Sequence, residues 1–99
     1  PDSVKRIGDD AFSYCKSLTS ISIPDSVKSI GNGAFAYCKS LKSVSIGNSV
    51  ERIRNDAFAG CNNLKEVVFK DKTIDEVKSM ENYPWGIEDE SIIKCKKLT

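Results

Sequence analysis

Ninety-nine residues make one domain, and an apolar fraction of 39% supports a small packed core with a high surface-to-volume ratio. Fifteen basic and 14 acidic residues leave a net charge of +1, so there is no global field to attract nucleic acid or an anionic membrane surface. No apolar run approaches the length of a membrane-spanning helix, and the complete lack of histidine excludes Ser–His and Cys–His nucleophile pairs. No signal peptide is present, and residue 1 is a proline inside a repeat, so the chain reads as a fragment or mature portion cut at a coil boundary.

In chain order the first element is a repeat. Residues 1–23, PDSVKRIGDDAFSYCKSLTSISI, return at 24–46 with six differences, and return more loosely at 47–69 as GNSVERIRNDAFAGCNNLKEVVF. A fixed period of this length predicts a solenoid in which each unit is one coil stacked on the next. Eight columns stay apolar: Val4/Val27/Val50, Ile7/Ile30/Ile53, Ala11/Ala34/Ala57, Phe12/Phe35/Phe58, Cys15/Cys38/Cys61, Leu18/Leu41/Leu64, Ile21/Val44/Val67 and Ile23/Ile46/Phe69. They are expected to line the inside of the coil as ladders of like side chains.

Within one coil, Val4 to Ile7 predicts a short extended segment, and Gly8 and Gly31 are expected to permit the bend after it. Ala11, Phe12 and Cys15 have the spacing of a single helical or 3₁₀ turn, with Asp9, Asn32 and Asn55 placed to cap its free N–H groups. Leu18, Ile21 and Ile23 end in the alternation of a half-buried strand. Pro1 and Pro24 break the backbone ladder beside the strands. The third copy replaces the glycine by Arg54 and the proline by Gly47, which predicts differently shaped corners.

Residues 70–99 leave the repeat and are expected to cap the open apolar edge of the last coil. Thr73-Ile74-Asp75-Glu76 has capping-box spacing, Ile74, Val77 and Met80 fall on one face of a short helix, and Pro84 limits that helix. Ile87, Ile92 and Ile93 offer a last extended segment, and Tyr83 and Trp85 are expected to pack in the cap rather than stack on a ligand.

The pattern Leu18-x-x-Ile21-x-Ile23-Pro24-x-x-Val27-x-x-Ile30-Gly31-x-x-Ala34-Phe35-x-x-Cys38-x-x-Leu41 resembles the BspA-like, or Treponema pallidum-type, leucine-rich repeat over residues 1–69. Asn82-Tyr83-Pro84-Trp85-Gly86-Ile87 resembles segments that close such arrays. The resemblance implies a mostly-β, right-handed leucine-rich repeat solenoid with short helices and a parallel β ladder. It also implies a secreted or surface-located bacterial protein that adheres to host matrix proteins or other bacteria, with no shared catalytic site and no cofactor. A structural spacer or stalk that presents another domain is the alternative.

The chemistry-bearing residues fit that frame. Cys15, Cys38 and Cys61 recur at the repeat period and are expected as buried apolar filler, because side chains in parallel about 4.8 Å apart suit neither a disulfide nor a zinc site. Cys95 lies outside this column, and its state stays open. Asp9, Asp10, Asp25 and Asp56 recur at corners, where turn chemistry accounts for them. Neither a phosphate-binding glycine loop nor the basic–aromatic interleaving of a nucleic-acid binder occurs.

What remains is the outward strand face: Thr19/Lys42/Lys65, Ser20/Ser43/Glu66 and Ser22/Ser45/Val68, with Lys16/Lys39 and Tyr14/Tyr37 nearby. It reads as a candidate protein- or glycan-binding face, the glycan reading lowered because these rows contain no aromatic residue, or as a solvated solenoid wall with no partner. Its area, on the order of 400 Å² for strands of six residues, falls short of the roughly 800 Å² per partner of a standard interface. Nothing upstream of Pro1 covers the first coil, so the chain is expected either to self-associate through that uncapped end or to come from a longer array.

Overall fold

The computed structural model describes residues 4–96; Pro1, with its expected break in the ladder, lies outside them. Strands β1 (Arg6–Ile7), β2 (Ser20–Ile23), β3 (Ser29–Ile30), β4 (Ser43–Ile46), β5 (Arg52–Ile53) and β6 (Glu66–Lys70) are followed by helix α1 (Ile74–Lys78), a 3₁₀ turn at Glu90–Ile92 and β7 (Ile93–Lys96). All pairings are parallel, in one sheet ordered β1-β3-β5 and another ordered β2-β4-β6-β7. Each strand therefore pairs with the same segment of the next coil, as a 23-residue period requires. The register shows it directly: Arg6 faces Ser29, and Ser20 faces Ser43.

The apolar columns form the core that lies between the two sheets and the turns. In the second coil Val27, Ile30, Ala34, Phe35, Cys38, Leu41, Val44 and Ile46 are all essentially inaccessible. Phe12, Phe35 and Phe58 stack nearly parallel, with centroids 5.3 and 5.6 Å apart. The first coil is less covered, and Phe12 remains 37% exposed where Phe35 is 0%. The difference follows from position alone, because Phe35 has a coil on either side.

Three local expectations need correction. The segment around Phe12 is not a helical turn but a run of tight turns, with bonds from the Ser13 N–H to the Asp10 carbonyl and from the Cys15 N–H to the Phe12 carbonyl. Left-handed residues recur at Asp10/Gly33/Asp56 and at Tyr14/Tyr37/Gly60, and they reverse the chain before a helix can propagate. Second, Asp9 and Asn32 do not cap their own turn. Each accepts the N–H of the residue one coil later, Asn32 at 2.8 Å and Asn55 at 3.1 Å; Asp25 does the same for Asn48 at 3.0 Å. In a stack, the nearest unpaired donor belongs to the next coil. Third, Gly31 is needed for space rather than for a bend: a Cβ there would lie 2.5 Å from the Asp9 backbone nitrogen.

The terminal segment builds a fourth turn of the same solenoid. β7 continues the larger sheet with Val67 facing Ile93 and Phe69 facing Cys95, a spacing of 26 rather than 23. The extra length holds α1, whose N-cap Thr73 forms the full capping box with Glu76. Val77 is buried and Met80 is half-buried, but Ile74 is 41% exposed, so the expected three-residue apolar face is only partly used. Trp85 is buried, as expected. Its ring tilts against Phe69 at 5.6 Å and its Nε1–H donates to the Glu81 carbonyl at 3.0 Å.

Candidate interaction surface

Alternation along the strands of the larger sheet turns Ile21, Val44, Val67 and Ile93 inward and leaves a row of outward residues between them. Parallel register stacks Ser20 on Ser43 and Glu66, and Ser22 on Ser45, Val68 and Lys94. Thr19, Lys42 and Lys65 extend the same ladder just outside the strands, through N–H bonds from Lys42 to the Thr19 carbonyl and from Lys65 to the Lys42 carbonyl at 2.8 and 2.9 Å. Ser20, Ser22, Ser43, Ser45, Glu66 and Val68 share the outward parity of the strands and line this face, whereas Thr19, Lys42 and Lys65 have the parity of Ile21, Val44 and Val67 and stand at its edge. Thr19, Ser20, Ser22, Lys42, Lys65 and Glu66 are exposed, and Ser43, Ser45 and Val68 are half-buried.

The face is gently concave, enclosing about 570 Å³ floored by the serine rows and closed at one end by Lys70 and Lys96. Lys70, Lys94 and Lys96 are the residues that sequence reasoning missed. They sit on the face because β7 pairs with β6, bringing Lys94 beside Val68 and Lys96 beside Lys70. The signal was present in the alternation Ile93-Lys94-Cys95-Lys96, which parallels Val67-Val68-Phe69-Lys70, but the three-residue change of period hid it. With strands of four or five residues, the face spans about 13 by 19 Å, on the order of 250 Å². That is smaller than six-residue strands would give.

The residues with reactive side chains are occupied structurally. The thiol of Cys38 donates to the Phe12 carbonyl at 3.0 Å, and that of Cys61 to the Phe35 carbonyl at 3.1 Å. The cysteine column thereby bonds each coil to the one before it. Burial pushes the Cys38 thiol up and the Cys61 thiol up to about 11, so both stay protonated and weakly nucleophilic at neutral pH. Cys95 is half-buried on β7, with its thiol raised by burial and by the Glu76 carboxylate. All four cysteines are free. Among the described residues no group of three His, Cys, Asp or Glu side chains is placed to hold a metal ion, and no helix is long and apolar enough to cross a membrane.

Residues 1–84 match the family model described as the BspA type leucine-rich repeat region in six copies. The chain belongs to the BspA-type leucine-rich repeat family. Consistent with that assignment, it is similar to a crystal structure of a leucine-rich repeat protein from Bacteroides ovatus, with a TM-score of 0.79 and 39% identity over 98% of this chain. The chain spans 24% of the length of that relative. No curated protein matches it. BspA-type arrays are in general repeat scaffolds rather than enzymes, and leucine-rich repeats typically bind proteins.

Proposed function

We propose that this chain is a non-enzymatic adhesion module of a bacterial surface or secreted protein. The face made by Thr19, Ser20, Ser22, Lys42, Ser43, Ser45, Lys65, Glu66 and Val68 is its contact surface for a host matrix or bacterial surface protein. The observation that carries the reading is the pair of serine rows, Ser20/Ser43 and Ser22/Ser45, edged by lysines on a parallel sheet in a protein-binding repeat family. Short side chains on a fixed backbone lose little entropy on binding, and the lysine edge supplies steering charge.

The test is surface-immobilised chain against purified fibronectin, fibrinogen, laminin and collagen, and against bacterial outer-surface extracts. Binding that a Ser22→Arg/Ser45→Arg variant abolishes supports the reading; binding equal in both, or none, counts against it. The small area of the face favours the second reading, a structural spacer, because about 250 Å² is far from the roughly 800 Å² each partner buries in a standard interface. A spacer predicts no binding by the isolated chain and normal binding by neighbouring domains when its face is mutated.

A further inference from the structure

On the side away from the serine rows, the smaller sheet β1-β3-β5 forms the floor of a second concavity, of about 590 Å³. All three arginines of the chain, Arg6, Arg52 and Arg54, line it, whereas of the lysines among the described residues only Lys28 does. A merely solubilising surface has no reason to separate arginine from lysine in this way. Arg6 and Arg52 stand in one column, two strands apart, with Ser29 between them. Two strand steps are about 9.6 Å, and the short serine leaves the space between the guanidinium groups open. Arg54 stands where the earlier coils carry Gly8 and Gly31, so the repeat is broken at this point in a way that adds a cation to the wall of the groove.

The charge here is available. Lys28 joins the three arginines, and only Asp9 and Glu51 oppose them. Asp9 already accepts the Asn32 N–H through Oδ1, and none of the four cations has an ion pair among the described residues. Four cations against two carboxylates leave an excess of two positive charges in one groove of a chain whose net charge is only +1. Arginine is the residue suited to planar, two-pronged recognition of a carboxylate, and it gives up hydration more readily than lysine.

We propose that this groove binds an acidic segment of a partner protein in extended conformation, with carboxylates of residues two apart held by Arg6, Arg52 and Arg54. Side chains two apart on an extended strand lie on one face about 6.7 Å apart, within the combined reach of arginines about 9.6 Å apart. The composition of the groove selects a peptide over a uniform polyanion. Asp9 and Glu51 repel an unbroken run of sulfates or phosphates but can accept peptide N–H groups, and no aromatic ring lines the groove for a sugar or base to stack on.

The experiment is fluorescence anisotropy of a labelled alternating Glu–Ser octapeptide with the full chain at low salt. The expected result is saturable binding, weakened at least roughly tenfold by Arg52→Ala/Arg54→Ala and several-fold by Arg52→Lys/Arg54→Lys, which keeps charge but loses the fork. A thermal melt checks that both variants stay folded, as exposed positions predict. The Ser22→Arg/Ser45→Arg variant of the opposite face should bind the octapeptide as the wild type does, so this groove and the serine face stand or fall separately. No saturable binding, full affinity in either arginine variant, or displacement of the peptide by a sulfated polysaccharide that binds more tightly would each overturn the proposal.

Discussion

The phenylalanine column shows how one side chain's worth depends on its place in the stack. Phe35 is 0% exposed and lies between two parallel rings, while Phe12, in the same chemical role one coil earlier, is 37% exposed with one stacking partner. Phe35→Ala is expected to cost about 3–5 kcal/mol, the range for emptying a core aromatic site, and Phe12→Ala clearly less. Urea melts of the two variants check this, and equal losses would mean that the first coil is as well packed as the second. The cysteine column sets a pH dependence. Burial raises the Cys61 thiol from its ordinary 9.0 to about 11, and raises Cys38 in the same direction. Between those values the unfolded chain releases a proton that the folded chain keeps, so stability is fully present below pH 9.0 and falls as pH rises toward about 11. Tyr83, pushed up to about 12 by burial and by the Glu90 carboxylate that accepts its hydroxyl, extends the same limb. Melting temperatures measured from pH 7 upward should stay level and then decline, with a shallower decline in Cys61→Ala. An unchanged slope in that variant would assign the alkaline limb elsewhere.

At the scale of elements, the fourth turn is where a period of 26 replaces one of 23, and α1 is the inserted piece. Five residues are too few to hold a helix by backbone bonding alone. It persists because Thr73 and Glu76 satisfy the first N–H groups reciprocally and because Val77 is buried in the common core. Thr73→Ala is therefore expected to lower stability by about 1 kcal/mol and to speed amide exchange first in α1. Exchange unchanged in α1 would show that burial of Val77 alone fixes the helix. Most of this fold is legible in the sequence: strand positions and apolar columns follow from the period over residues 1–69, and the capping box follows from its own local spacing. The carboxylate partners are not, because the N–H that Asp9 binds is 23 residues away in sequence and adjacent only once the coils stack. Of the last extended segment expected from Ile87, Ile92 and Ile93, only Ile93 lies in β7, Ile92 ends the 3₁₀ turn, and the partner strand was not legible. The alternation of β7 is four residues long, and only pairing with β6 separates it from an exposed tail. The same omission left Lys94 and Lys96 off the serine face, and the arginine groove escaped because its members are spread over three coils at positions that look like ordinary corners.

For the molecule as a whole, covering falls away toward the first coil. Val4, Ile7, Cys15, Leu18 and Ile21 are half-buried, whereas Val27, Ile30, Cys38, Leu41 and Val44 in the same columns are buried. In a stack whose stability is the sum of coil and interface terms, one added interface should stabilise the coil beneath it and, through it, the rest. Fusing a further copy of residues 24–46 directly ahead of residue 1 tests this. The inserted strand would pair with β2 as β2 pairs with β4, and the inserted phenylalanine would stack on Phe12. The extended chain is expected to gain a few kcal/mol, on the order of the apolar area newly buried at about 25 cal/mol per Å². A matched extension with aspartate at its phenylalanine and isoleucine columns should gain nothing. If that control stabilises as much as the repeat copy does, the gain comes from chain length rather than from stacking, and the first coil is already as complete as the second.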